Sequence, residues 1–357
     1  MKQVVIFGGT GFIGTHTAQR LLQENEVEQV VLVDIHPPRT EPYAAPLQAA
    51  LRSGRARFLQ HDIRRPAPLD ALPQADLIFN FAAVHREPGH EPREYYETNL
   101  LGATHVCAYA DAVNCSHIVF TSSISPYEVS ENSKHEGSLP VPETPYGGSK
   151  LVAEKMHSAW QMAAPGRKLL IVRPGVVFGP GEGGNVSRLV HSLMKGYFVY
   201  MGNKETRKAG GYVKELSNVF LFGIDHQKKT GEGIALLNFS VQPTPTLSQY
   251  VEAIRKVGGI KRAPLSIPRR LLLSVSYPID FVANLFSIKQ PISPTRIRKL
   301  YRSTNIEPRR LQELGYTYQY TLEQAFEDWK KDKPEDFSVD PAAVRLPKQQ
   351  VSPQPVP

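Results

Sequence analysis

The stretch "VVIFGGTGFIG", residues 4 to 14, constrains this chain more than any other. A short β-branched run ends in Gly8-x-x-Gly11-x-x-Gly14, and a helix-length segment starts at once. Glycine lets the backbone turn tightly and approach a pyrophosphate, and the last glycine lets helix and strand pack closely. The helix N-terminus then offers free N–H groups and the positive end of its dipole to phosphate. The loop therefore predicts a dinucleotide site built from Gly8, Gly11, Phe12, Ile13 and Gly14. Asp34 ends the second predicted strand, twenty residues after Gly14. A carboxylate there accepts from the adenosine ribose and repels a 2′-phosphate, which favours NAD over NADP; Arg39 nearby softens that preference. Asp62, in "HDIR" at the end of the third predicted strand and followed by Ile63, reads either as an acceptor for the adenine amino group or as a turn cap.

Short apolar runs alternate with helix-length segments through the first half. Strands are expected at 3–8, 29–35, 56–62, 76–83, 117–123 and 168–174, with helices at 12–23, 44–52, 94–113 and 146–163. The runs are continuous rather than alternating, as parallel strands covered on both faces should be. That order implies a Rossmann-type, doubly wound parallel α/β sheet. We expect residues 1–180 to form the dinucleotide-binding domain, with returning elements at about 213–256. Residues 181–212 and 257–333 should form a smaller, mostly helical substrate lobe, and 334–357, rich in Pro, Gln and Val without period, a disordered tail.

The chain's 357 residues and 41% hydrophobic content suit a folded protein with a sizeable core. Two cysteines imply no disulfide framework, and a reducing cytoplasm is the simplest setting. The net charge is +8, but residues 251–310 alone hold 13 Lys/Arg against 3 Asp/Glu. Such a patch suits an anionic substrate or an anionic lipid surface; no recognition motif for nucleic acid accompanies it. The apolar run 271–288 is interrupted by Pro278 and Asp280, so it reads as amphipathic core helices or as a membrane-surface contact rather than a span. "HREPGHEPRE" carries His85 and His90, but its spacing places no two metal ligands on one helical face; His85 is expected in a substrate loop, and no metal is expected.

Tyr-x-x-x-Lys occurs twice, at Tyr146/Lys150 and at Tyr200/Lys204. Only the first begins a predicted helix and follows a strand that ends in hydroxyls, "VFTSS". Carboxyl ends of strands are where open α/β sheets bind ligands. Free tyrosine, with a pKa of about 10, is a poor base. An ammonium one turn on, together with a cationic nicotinamide, would stabilise the phenolate; a shift of about three units needs roughly 4 kcal/mol. Tyr146 could then take a proton from a substrate hydroxyl while Ser123 holds the same oxygen. Gly147 and Gly148 are expected to leave room for cofactor or substrate.

These residues together resemble the extended short-chain dehydrogenase/reductase family, in particular its nucleotide-sugar epimerases and dehydratases. The resemblance runs from residue 2 to about 330 through the glycine loop, Asp34, Asp62, "NFAA" (80–83), Asn99, Ser123, Tyr146, Lys150 and "RPGVVFGPG" (173–181). It implies an NAD-dependent enzyme with Ser123, Tyr146 and Lys150 as catalytic residues. Ala82 and Ala83 would lie near the nicotinamide ribose, and Asn99 would support the cofactor site. Ile124-Ser125 stands where the family's dehydratases carry an Asp-Glu pair, which points away from elimination and toward 4-epimerisation. Arg207, Arg298 and Arg302 match basic residues near the substrate diphosphate, and Lys214-Glu215 stands where many relatives have an acidic pair. A homodimer through the helices at 94–113 and 146–163 is implied by the same resemblance. Two other readings stay open: a membrane-surface dehydrogenase of a sterol-like or lipid-linked alcohol, and an NAD-binding regulator without turnover.

Overall fold

In the computed structural model, residues 2–87, 89–267 and 302–338 are described. Seven strands form one parallel sheet: β1 (Gln3–Phe7), β2 (Gln29–Asp34), β3 (Ala56–Gln60), β4 (Leu77–Asn80), β5 (His117–Thr121), β7 (Lys168–Pro174) and β11 (Ile234–Phe239). Their order, β11-β7-β5-β4-β1-β2-β3, reverses direction at β1/β4, and every pairing in it is parallel. This is the expected doubly wound sheet.

The continuous apolar runs are explained by the pleat, which sends successive side chains to opposite faces. Val4, Ile6, Val30, Leu32, Leu77 and Phe79 join one core with α1 (Phe12–Leu21), α2 (Ala45–Arg52) and α6 (Val213–Thr230). Val5, Phe7, Val31, Val33, Ile78, Ile118 and Phe120 join a second core with α3 (Pro92–Ala112) and α4 (Pro145–Met162). A polar residue within such a run would be buried whichever way it faced.

Two compact units are present. The first comprises residues 1–177, 206–246 and 302–321; the second comprises 178–205, 247–301 and 322–357. Besides the sheet, the first unit holds β6 (Ser130–Lys134), which pairs with β13 (Thr304–Ile306), the first two residues of β8 (Val176–Phe178), β10 (Gly210–Tyr212) and the short α8 (Arg309–Glu313). Residues 302–321 thus group with the sheet, although the sequence placed them in the substrate lobe. They are tied there by Glu215, at the start of α6, which accepts from the Gln319 and Tyr320 amides at 2.9 and 2.8 Å and from the Tyr316 hydroxyl.

The second unit holds α5 (Asn185–Met194), β9 (Val199–Met201), α7 (Leu247–Gly258), β12 (Leu265–Ile267) and α9 (Leu322–Asp332). Its core is aromatic: Phe178 stacks on Phe326 at 5.1 Å, and Trp329 is fully buried. The tail expected to be disordered from Pro334 does not begin there. Pro334–Phe337 is a 3-10 helix, with Asp336 accepting from Trp329 Nε1 at 2.9 Å and Phe337 buried edge-on against the Trp329 ring. One aromatic anchor and one buried hydrogen bond override the polar composition around them. Among the described residues no helix is long and apolar enough to cross a membrane. The 271–288 run lies outside the described residues.

Candidate active site

The glycine loop sits at the carboxyl end of β1, between β2 and β4. Gly8 has φ +78°, and a Cβ there would lie 2.6 Å from the Ala82 amide nitrogen. A Cβ on Gly14 would come 2.3 Å from the Gly8 carbonyl oxygen. The loop is therefore closed by backbone on both sides, and the chain leaving β4 is held against it, the Phe81 and Ala82 amides both donating to Phe7 O. Gly11 caps α1 in an extended conformation and supplies no capping side chain, so the first turn keeps its N–H groups for a ligand.

The Asp34 carboxylate is aimed by backbone. Oδ2 accepts from the Thr10 amide at 3.2 Å, and Oδ1 from the Ile35 and His36 amides at 2.8 and 3.3 Å. Arg39 is held beside it, donating to Thr10 O at 3.4 Å and to the Tyr43 hydroxyl at 3.1 Å. A shallow cavity of about 290 Å³ opens at the ends of β2 and β3, lined by Ile35, Gln60, His61, Asp62 and Arg65. Burial raises the Asp62 pKa, but the Arg64 guanidinium, 2.6 Å away, and the Arg64 amide outweigh this and hold it below the usual range. Both Asp62 oxygens are thus already engaged. Ile63 is a core residue whose side chain meets Gly102 and whose carbonyl is hydrogen-bonded by His105.

Tyr146 enters from the start of α4. Thr144 caps that helix, its hydroxyl accepting from the Gly147 amide at 3.1 Å, and Pro145 fits the first turn. The two glycines after Tyr146 do not make room for a ligand, as the sequence suggested. A Cβ on Gly147 would lie 2.3 Å from Ser125 O, and one on Gly148 would lie 2.5 Å from the Tyr96 hydroxyl. They let the helix press against the loop that follows β5, and Tyr146 lies close enough to Ser123 for that hydroxyl to favour its phenolate. Ser123 also receives the Ser125 amide at 3.1 Å, which fixes its hydroxyl. Asn99 braces the arrangement: its side chain exchanges two hydrogen bonds with the Val84 backbone and donates to Ser149 at 2.8 Å.

Lys150, one turn on, is buried, with Nζ 4.3 Å from the centre of the Phe120 ring. Burial lowers its pKa to about 7, against a smaller upward pull from Glu154. Burial also pushes the Tyr146 phenol up, to about 12, with Ser123 opposing.

Sequence reasoning missed the buried network beneath this pair. Arg173, near the end of β7, forms a two-pronged ion pair with Glu154 at 2.8 and 2.6 Å and donates to the Tyr127 hydroxyl at 2.7 Å. Ser122 donates to Glu154 at 2.5 Å, and Tyr127 donates to Asn238 at 3.1 Å. The signal available was a charged residue inside the apolar run "LLIVRP", which burial obliges to have a partner.

The expected substrate cations fall as follows. Arg207 is exposed, and its guanidinium donates to Thr244 O at 2.7 Å. Arg302 is occupied by both Glu143 oxygens, at 3.1 and 3.0 Å. Arg298 lies outside the described residues. A cation that was overlooked, Lys208, is half-buried and donates to Arg302 O at 2.8 Å; burial lowers its pKa while Glu131 opposes. His85 is exposed near the Ala83 carbonyl. Its neighbours His90 and Glu91 serve α3, His90 pairing with Glu94 and Glu91 completing a capping box. Lys214-Glu215 splits in role, since Glu215 is the clamp on residues 316–320.

Residues 4–236 match a family model described as the NAD dependent epimerase/dehydratase family. A 4-epimerase from Escherichia coli O157:H7 named for N-acetyl-α-D-glucosaminyl-diphospho-ditrans,octacis-undecaprenol is 26% identical, over 91% of this chain and 93% of its own length. The UDP-glucose 4-epimerase of Lactobacillus helveticus is 25% identical over 75% of this chain and 85% of its own. Among solved structures, the UDP-Glc/GlcNAc 4-epimerase of Campylobacter jejuni superposes with a TM-score of 0.70 at 19% identity, covering 93% of this chain and 99% of that one. The UDP-glucuronic acid 4-epimerase of Bacillus cereus, solved with NAD, gives a TM-score of 0.70 at 18% identity, with 92% and 98% covered. At these identities the structural likeness speaks to the fold.

Proposed function

The chain belongs to the NAD dependent epimerase/dehydratase family, and from that premise we propose that it inverts C4 of a sugar carried on a diphosphate, with Tyr146 moving the hydroxyl proton. It is an NAD-dependent enzyme of the extended short-chain dehydrogenase/reductase type. The residues fit the cofactor: the Gly8–Ala82 approach leaves a cradle of backbone, α1 presents an uncapped N-terminus, and Asp34 is preset as a ribose acceptor. When bound, NAD supplies a hydride acceptor whose cationic ring favours the phenolate.

The observation that carries the proposal is the hydroxyl pair at the end of β5. Ser123 and Tyr146 come from different elements and converge, with a lysine able to gain or lose a proton one turn behind. Tyr146 takes the sugar hydroxyl proton and returns it after inversion, while Ser123 holds the same oxygen. Elimination is disfavoured, because Ile124 packs with Tyr127, Ala209 and Ile306, and Ser125 bonds back to Ser123, so no acid–base pair stands there. Lys208, Arg207 and Arg302 are the described cations proposed for the diphosphate side. A homodimer through α3 and α4 is part of the proposal, and the exposed Leu101 and Val152 suit such a contact.

A second reading of the carrier is favoured by one observation. The relative aligned over 91% of this chain is named for a polyprenyl diphosphate sugar, not a nucleotide. Dehydrogenation of a sterol-like alcohol and a regulator without turnover gain no such support, since the relatives bear 4-epimerase names. The test is incubation with UDP-, GDP- and dTDP-sugars and, separately, with undecaprenyl-diphospho-N-acetylglucosamine, followed by NMR of the sugar. C4 epimers without net NADH accumulation are expected. Net NADH, or no epimer from either carrier class, overturns the proposal.

A further inference from the structure

The second unit carries an apolar surface that the epimerase reading does not use. β9 and β12 pair in parallel, with Leu265 opposite Val199 and Ile267 opposite Met201. Paired residues share a face, and alternate residues along a strand return to it, so Val199, Met201, Leu265 and Ile267 form one apolar face of this ribbon. The intervening residue of β9, Tyr200, is turned inward, 8% exposed and edge-on to Phe198. Half of this face is open: Met201 is 47% and Leu265 64% exposed, and Tyr197, just before β9, is 65% exposed, while Val199 and Ile267 are partly buried. A solvent-facing ribbon would ordinarily carry polar residues there.

Exposed cations flank this face along the chain. Lys195, Lys261 and Arg262 are all exposed, each within four residues of one of those apolar side chains, and none has an ion pair among the described residues. Of the nearby acids, Glu252 is paired with Arg255 at 2.6 Å; Glu205 accepts from the Ser248 hydroxyl at 3.2 Å, which leaves its charge in place. Exposed apolar side chains flanked by exposed lysine and arginine match the boundary of an anionic bilayer, where alkyl groups enter the acyl edge and cations meet headgroups. A protein partner would need matching acidic and apolar groups together, whereas an anionic bilayer offers both everywhere.

We propose that the β9–β12 face is a docking surface for anionic phospholipid membranes. It holds whichever sugar carrier the enzyme uses. The test is co-sedimentation of the full chain with vesicles of 3:1 phosphatidylcholine and phosphatidylglycerol, and with phosphatidylcholine alone. Binding is expected to the first and to fall at least tenfold on the second. Met201→Ser with Leu265→Ser, and separately Lys261→Gln with Arg262→Gln, should each cut binding to anionic vesicles about tenfold or more while circular dichroism and melting stay unchanged. No binding of the native chain to anionic vesicles overturns the proposal. Undiminished binding by both double variants also overturns it, placing the contact elsewhere, in residues 268–301 for instance. A native oligomer that dissociates on Met201→Ser with Leu265→Ser, without native vesicle binding, would assign the face to a second copy of the chain instead. The readout needs no turnover, so its failure is separable from failure of the epimerase assignment.

Discussion

Tyr146/Lys150 and Tyr200/Lys204 share one spacing and almost nothing else. The first pair begins α4, where four residues make one turn and both side chains can serve one site. The second begins on β9 and ends in a loop, with Tyr200 turned inward and Lys204 exposed. Lys150 is 2% exposed and lies against the Phe120 ring, while Lys204 meets solvent at the rim of a surface hollow shared with Ser248 and Glu252. A spacing in sequence becomes chemistry only when the backbone gives it the right period and burial gives it a low dielectric.

The strongest way to break this comparison is to remove one hydroxyl from each pair. Tyr146→Phe should lower turnover by about 10²–10⁴-fold with NAD binding kept, and Tyr200→Phe should leave it within about twofold. Equal losses in steady-state assays would erase the distinction. Next in size is the support beneath the first pair. Arg173→Leu leaves Glu154 buried without its partner and should cost about 3–5 kcal/mol in urea denaturation. Replacing both, Arg173→Leu with Glu154→Leu, should recover part of that loss.

Lysine burial sharpens the contrast through pH. The Lys150 pKa is lowered to about 7 from the usual 10.5, so between these values the unfolded chain holds a proton that the folded chain has released. Stability therefore rises with pH across that window, and the cost of burying the charge is complete below it. Lys150→Met should stabilise the fold by on the order of a few kcal/mol at pH 6, with the gain fading toward pH 10.5. A gain that stays flat across this range in denaturation curves would refute the buried, titrating lysine. Smaller still, Asp34→Ala should weaken NAD roughly tenfold, about 1.4 kcal/mol, and NADP less, by fluorescence titration. Lys204→Ala should change stability by no more than about 0.5 kcal/mol.

The sheet was legible because its strands are buried on both faces, so each announces itself as an unbroken apolar run. The glycine loop was legible because backbone approach tolerates no other residue at Gly8 or Gly14. Less was read between 179 and 211, where glycine and charge obscure α5. Its buried Val186, Val190, Leu193 and Met194 nonetheless recur at helical spacing. The roles of Gly147 and Gly148 were misread because the groups they admit, Ser125 O and the Tyr96 hydroxyl, come from distant parts of the chain. The same limit hid the Glu154–Arg173 pair, whose members sit on α4 and β7. Periodicity reports which face is buried; it does not report what meets there.

The ion pair that joins α4 to β7 has one more effect. Because Arg173 already neutralises Glu154, the carboxylate has little charge left over to lock the neighbouring ammonium in place. With its charge shared with the guanidinium, the acid's upward pull on Lys150 stays smaller than the opposing effect of burial.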